Sequence, residues 1–124
     1  MTATDKRIAR VLALVALWVA CVFANAAEQR VALLIGNNSY ASVPLANAVN
    51  DARDLAGALR SLGFKTIVRE NATRRDMIEA LREFGDSIGD ADAAVFFYAG
   101  HALQFKDRNY LLPVDSEIRS EEDI

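Results

Sequence analysis

Three short apolar runs separated by two stretches of helical periodicity restrict this chain more than any other feature. "VALLI" at residues 31–35 is unbroken and stops at Gly36-Asn37-Asn38, "FKTIV" occupies 64–68, and "AAVFFY" occupies 93–98 and stops at Ala99-Gly100-His101. Runs of this length suit strands of a parallel sheet covered on both faces. Between the first two, Ala52, Leu55, Ala56, Leu59 and Leu62 fall three and four apart, with Asn50 expected as N-cap and Gly63 as the closing residue. Between the second and third, "NATRRDMIEALREFGDSIG" predicts a helix with Thr73 as N-cap and Asp76 three residues on, burying Met77, Leu81, Phe84 and Ile88. The order is β-α-β-α-β.

Strands alternating with helices imply a parallel sheet with each crossover helix packed against it. Ligands in such sheets gather at the carboxyl ends of the strands. Gly36-Asn37-Asn38 and Gly100-His101 should therefore share one edge of the fold. His101 is the chain's only histidine. It reads either as a strand-end residue satisfied by backbone or as a general base, placed after a glycine that permits close backbone approach. Asn37 and Asn38 suit a tight turn, since asparagine tolerates left-handed backbone. Tyr40 and Tyr98 read as packing residues. "GNNS" at 36–39 lacks the spaced glycines and the lysine of a phosphate-binding loop.

The first 26 residues read differently. Lys6, Arg7 and Arg10 precede the apolar run "VLALVALWVACVF" and the small-residue stretch Ala24-Asn25-Ala26, the order of a secretory signal peptide cleaved after Ala26. The run has 13 residues, against the roughly 20 that span a bilayer, so no stable membrane span is expected. The protein is then periplasmic or secreted. The only cysteine, Cys21, leaves with the leader, so residues 27–124 hold neither a disulfide nor a thiol nucleophile. They carry 11 Lys+Arg against 16 Asp+Glu, a balance that argues against nucleic acid as a partner.

"RVALLIGNNSY", "LANAVNDARDLAGALRSLGF", "VFFYAGHALQ" and "NYLLPVD", taken in this order, resemble the first half of the caspase-like cysteine peptidases. The likeness is to their bacterial caspase and metacaspase relatives and covers residues 30 to about 116. It implies a three-layer α/β/α caspase-like fold with a mainly parallel sheet, truncated before the strand that carries the catalytic cysteine. Residues 1–26 are then a signal peptide and 27–124 a partial peptidase domain. The resemblance makes His101 the acid–base member of a Cys-His dyad whose cysteine, in an "Asp-x-Cys" segment, comes from beyond Ile124 or from a second chain.

Other roles follow from the same likeness. Ala102 replaces the family's usual glycine, whose backbone N–H faces the oxyanion of the tetrahedral intermediate; alanine keeps that donor. Asp51 matches the metacaspase aspartate that selects Arg or Lys before the scissile bond. Leu45 stands where aspartate-cutting caspases place an arginine. Asp51 read from its position alone merely favours a helix N-terminus through the dipole. No cofactor is required. Some metacaspases bind calcium after the histidine, and Asp107, Asp115, Glu122 and Asp123 are oxygen donors in that region, but their spacing does not carry the site over. The substrate would be a peptide or protein. The rival readings are a non-catalytic pseudo-peptidase that binds a partner, and a doubly wound small-ligand or nucleotide-binding domain argued from the rhythm alone.

Overall fold

The computed structural model of the chain describes residues 4–6 and 28–117. The leader, with Cys21, and the acidic Glu122 and Asp123 lie outside the described residues, residues 4–6 excepted. Among the described residues no helix is long and apolar enough to cross a membrane.

β1 (Arg30–Gly36) is the middle strand of a parallel sheet, flanked by β2 (Phe64–Glu70) and β3 (Ala93–Ala99) in the order β2-β1-β3. Arg30 lies level with Phe64 and Ala93, and Gly36 with Glu70 and Ala99. The unbroken apolar run is explained by this position, because β1 is paired on both edges and covered on both faces. Ala32 and Leu34 pack against Ala52, Ala56 and Leu59 of α1 (Ala48–Ser61). Val31, Leu33 and Ile35 face the other way, towards Met77 and Ala80 of α2 (Arg74–Ile88). Leu33 and Leu34 are fully buried, one on each face, and each contributes about 1.5–3 kcal/mol by leaving water.

Gly36 is where the sheet and α1 meet most closely. A Cβ there would lie 2.5 Å from the Ala48 carbonyl oxygen, 2.8 Å from Val49 Cα and 2.9 Å from Ala52 Cβ. Only a glycine lets the first turn of α1 cross the end of β1 at this distance.

Both crossover helices form, with three corrections. α1 starts at Ala48 rather than after Asn50, and its N-cap position, Asn47, makes no side-chain capping bond. The amide of Val49 instead donates to Asn38 Oδ1 at 3.0 Å, so a side chain from the β1 loop takes the role expected of Asn50. At the other end Gly63, with φ of 84°, closes the helix as expected while Leu62 is exposed. α2 has the full capping box, Thr73 Oγ1 accepting from the Asp76 amide and Asp76 accepting from the Thr73 amide; the Thr73 hydroxyl, donating to the Asp76 carboxylate at 2.7 Å, and then the Thr73 amide hold that carboxyl below its usual range. Its buried arc, however, is Met77 and Ala80 with Phe84 partly covered; Leu81 and Ile88 are exposed. Fully buried Ala80 brings the helix close to β1 and β2, rolling it so that the two larger residues flank the contact.

A feature absent from the sequence reading follows His101. β4 (Ala102–Phe105) and β5 (Arg108–Leu111) form a separate antiparallel hairpin. Its two-residue turn has positive φ at both Lys106 and Asp107, the type I′ geometry that twists with the strands but favours Asn-Gly. The missing Asn-Gly is why no hairpin signal stood out. The chain then returns to the sheet, Val114 donating to the Ala72 carbonyl and the Arg74 amide donating to Asp115 Oδ1 at 2.8 Å.

Candidate active site

The ends of β1 and β3 do share one edge. The Asn37 amide donates to the Ala99 carbonyl at 2.8 Å, extending the parallel ladder one step past the strands. Asn37 is completely buried, and its side chain is committed at both atoms: Oδ1 accepts from the Ala72 amide at 2.8 Å, and Nδ2 donates to the Leu112 carbonyl at 3.3 Å. Neither Asn37 nor Asn38 has positive φ. The expected left-handed turn is thus corrected to two side-chain brackets, one fastening β1 to the segments around Ala72 and Leu112, the other capping α1.

Two tyrosines converge on His101. Tyr40 OH accepts the His101 backbone N–H at 3.0 Å and lies 2.8 Å from the Leu112 carbonyl, to which it can donate. Tyr98 OH lies 2.7 Å from the His101 carbonyl and 2.8 Å from that of Leu112. The two hydroxyl oxygens are 3.0 Å apart. The Leu112 amide in turn donates to the His101 carbonyl at 3.0 Å. Desolvation, with the Tyr40 contact adding to it, pushes the Tyr98 hydroxyl well above its ordinary range, so it remains a donor at working pH. A Cβ on Gly100 would lie 2.5 Å from each hydroxyl oxygen, which is why a glycine stands before the histidine.

The imidazole is oriented by a backbone group. His101 Nε2 lies 2.7 Å from the Val43 carbonyl oxygen. That oxygen can only accept, so the bond assigns the ring proton to Nε2 and leaves Nδ1 of the neutral ring with its lone pair. The Tyr40 ring sits beside the imidazole, centroids 4.5 Å apart and planes inclined at 56°. A cavity of about 210 Å³ opens next to the ring between Ser42, Val43, Leu103 and Leu112.

Ala102 stands opposite Leu111 in the hairpin, and the bond flanking this pair runs from the Leu112 amide to the His101 carbonyl. The pair is therefore of the non-hydrogen-bonded kind, with the Ala102 N–H turned away from β5. Its φ is not positive, so alanine is unstrained in place of glycine. Asp51 lies in the exposed first turn of α1, at the same carboxyl edge, and does not line the cavity beside His101. Of the acids considered as calcium donors, Asp107 is at the hairpin turn and Asp115 accepts from the Arg74 amide. Among the described residues no group of three or more His, Cys, Asp or Glu converges to hold a metal.

A larger cavity, about 360 Å³, lies at the opposite end of the sheet between Glu28, Arg30, Lys65, Asp86 and Asp90. Its one hydroxyl, Ser87, donates to the Glu83 carbonyl, and it has no imidazole. The chemistry therefore points to the smaller cavity at His101. The sequence reading missed Val43, because a carbonyl is common to every residue. It read Tyr40 and Tyr98 as packing, because nothing in the sequence shows that their hydroxyls meet.

A family model described as the caspase domain matches residues 29–122. The chain is 34% identical over 91 residues to "Mucosa-associated lymphoid tissue lymphoma translocation protein 1 homolog" of Mus musculus, and 33% identical over 91 residues to the Homo sapiens protein of that name. Each alignment covers 73% of this chain and 11% of the relative, so the chain spans about a tenth of the length of these curated relatives.

Proposed function

The chain belongs to the caspase-domain family, and on that premise we propose that it forms the histidine-bearing part of a cysteine endopeptidase. The observation that carries this reading is the 2.7 Å contact from His101 Nε2 to the Val43 carbonyl. It supports Nδ1 as the basic nitrogen of the imidazole, at the sheet edge where substrates of parallel α/β folds bind.

The steps follow from those groups. Nδ1 takes the proton of a cysteine thiol supplied from outside residues 27–124, and the thiolate sulfur attacks the peptide carbonyl carbon. The carbonyl oxygen becomes an oxyanion, towards which the Ala102 N–H would donate, an interaction worth about 10²–10³ in rate for a donor of this kind. The protonated imidazole passes its proton to the leaving nitrogen as the C–N bond breaks, giving a free amine and a thioester. Water then gives a proton to Nδ1 as its oxygen attacks the thioester carbon; the C–S bond breaks, the carboxylic acid leaves, and Nδ1 returns the proton to the sulfur to regenerate the thiol. The Val43 carbonyl holds the ring throughout and stabilises the transient imidazolium. No cofactor enters these steps.

Asp51 sets a preference for Arg or Lys before the scissile bond. Its carboxylate is exposed and has no hydrogen-bond or ionic partner among the described residues, and Leu45 supplies no positive charge to attract an acidic substrate. The prediction is read in a protein completed with a caspase-family second half. Arginyl peptides should be cleaved well ahead of aspartyl peptides, and Asp51→Ala should erase most of that ratio while Asp51→Glu retains it. Equal cleavage of the two peptides by the unsubstituted protein would remove Asp51 from the substrate site.

We further propose export, supported by the order of charge, apolar run and small residues in the first 26 positions. N-terminal sequencing of the protein recovered outside the cytoplasm should begin at Ala27. A chain still starting at Met1, or lipid on Cys21, contradicts this.

A further inference from the structure

We propose that Tyr40 and Tyr98 are positioning residues for His101, clamping its peptide unit through their hydroxyls and the Leu112 carbonyl. The inference rests on the reading of His101 as the acid–base group and names what fixes it in place.

The backbone of His101 is held at both polar atoms. Its N–H donates to Tyr40 OH at 3.0 Å, and its carbonyl accepts from the Leu112 amide at 3.0 Å and lies 2.7 Å from Tyr98 OH. Only two hydroxyl protons serve this cluster, and the carbonyls of His101 and Leu112 both stand within reach of them. Neither tyrosine is redundant: Tyr40→Phe leaves the part-buried His101 N–H without its acceptor, and Tyr98→Phe leaves the His101 carbonyl with the Leu112 amide as its one donor. Tyr40 carries a second duty. It begins the short loop that brings Val43 to the imidazole, and its ring lies beside that of His101. The hydroxyl of Tyr40 thus ties the loop presenting the orienting carbonyl to the peptide carrying the ring. Losing it lets the two ends of the Nε2–Val43 bond move apart. An error of about 1 Å in such a placement costs on the order of 10²-fold in rate.

His101 is the only histidine of the chain, so its ring signals in nuclear magnetic resonance are assigned without ambiguity. The full chain, isotopically labelled, should show a slowly exchanging Nε2–H and a protected His101 amide. In Tyr40→Phe the protection of that amide should fall about tenfold, the worth of one neutral hydrogen bond, and the ring N–H signal should broaden through exchange with water. Amides of the buried Leu33 and Leu34 in β1 open with the whole fold and report the loss of global stability, while the ring N–H reports the loss local to His101. Tyr98→Phe should loosen the His101–Leu112 connection in the same local manner.

In the completed enzyme, Tyr40→Phe should lower kcat with KM unchanged. A ring N–H signal left sharp while the β1 amides lose protection would make the tyrosines mere supports of the fold, and unchanged protection at His101 would remove the clamp. Should Tyr40→Phe not fold, the unsubstituted chain still decides: a ring N–H exchanging at the rate of a free imidazole overturns the proposal. These signals need no catalysis, so failure of the peptidase reading leaves them intact, while their loss with activity retained overturns the clamp alone.

Discussion

Joined to a second half that carries the family's cysteine, the protein should lose turnover by about two to four orders of magnitude when His101 is replaced by alanine, the usual worth of a positioned acid–base group. The expectation rests on the two atoms of the ring having different duties. Nε2 is occupied by the Val43 carbonyl at 2.7 Å, so in the proposed mechanism the proton removed from the thiol and delivered to the amine would travel through Nδ1 alone. The rest of the lining of the 210 Å³ cavity, Tyr40, Ala41, Ser42, Val43, Ala102, Leu103, Leu112 and Ser116, offers no second imidazole and no carboxylate among its side chains. The loss should fall on kcat, with KM little changed, because the ring acts on the reacting bond rather than on the rest of the peptide. Full activity in the His101→Ala protein, measured with an arginyl peptide, would dismiss the dyad.

The second large effect concerns the fold. Gly36→Ala should destabilise the domain by about 3 kcal/mol, the upper part of the usual range for forcing atoms into a packed core. Two of the three atoms the new methyl would meet, the Ala48 carbonyl oxygen at 2.5 Å and Val49 Cα at 2.8 Å, belong to backbone. Neither can swing aside as a side chain would, so α1 must lift from the sheet. The same shift strains the Val49 amide bond to Asn38 Oδ1. Urea unfolding followed by circular dichroism measures the loss. Gly57→Ala, at a helical glycine whose Cβ would meet nothing within 4 Å, should instead hold or raise stability and serves as the control. Equal behaviour of the two variants would show that the close crossing at Gly36 is not needed.

The elements that repeat on one scale were legible in the sequence, and the contacts between distant segments were not. β1 announced itself because a strand covered on both faces must be apolar at every position. The capping box at Thr73 and Asp76 and the closing Gly63 are local signals read within a few residues, and each stands as expected. Asn50 misled because the cap of α1 is a side chain twelve residues upstream, Asn38, brought there by the loop after β1. Leu81 and Ile88 have the right period for a buried stripe; the roll of α2 about its axis was decided by the small size of Ala80. At the site, His101 and the shared edge were legible from strand ends. The Val43 carbonyl, the meeting of Tyr40 with Tyr98 and the buried bracket of Asn37 were not, since each depends on a tertiary contact spanning between 35 and 75 positions.

The central claim is that His101 activates a thiol, and the rate at which that thiol is alkylated tests it most directly. In the completed protein, iodoacetamide should modify the family cysteine rapidly at neutral pH, because an imidazole within reach of the sulfur favours the thiolate. His101→Ala should slow the reaction at pH 7 and move its rise towards the pH range of an ordinary thiol, while Tyr110→Phe, outside the lining of the His101 cavity, should leave it unchanged. Alkylation at the same rate and with the same pH profile in the presence and absence of the His101 imidazole would contradict the account.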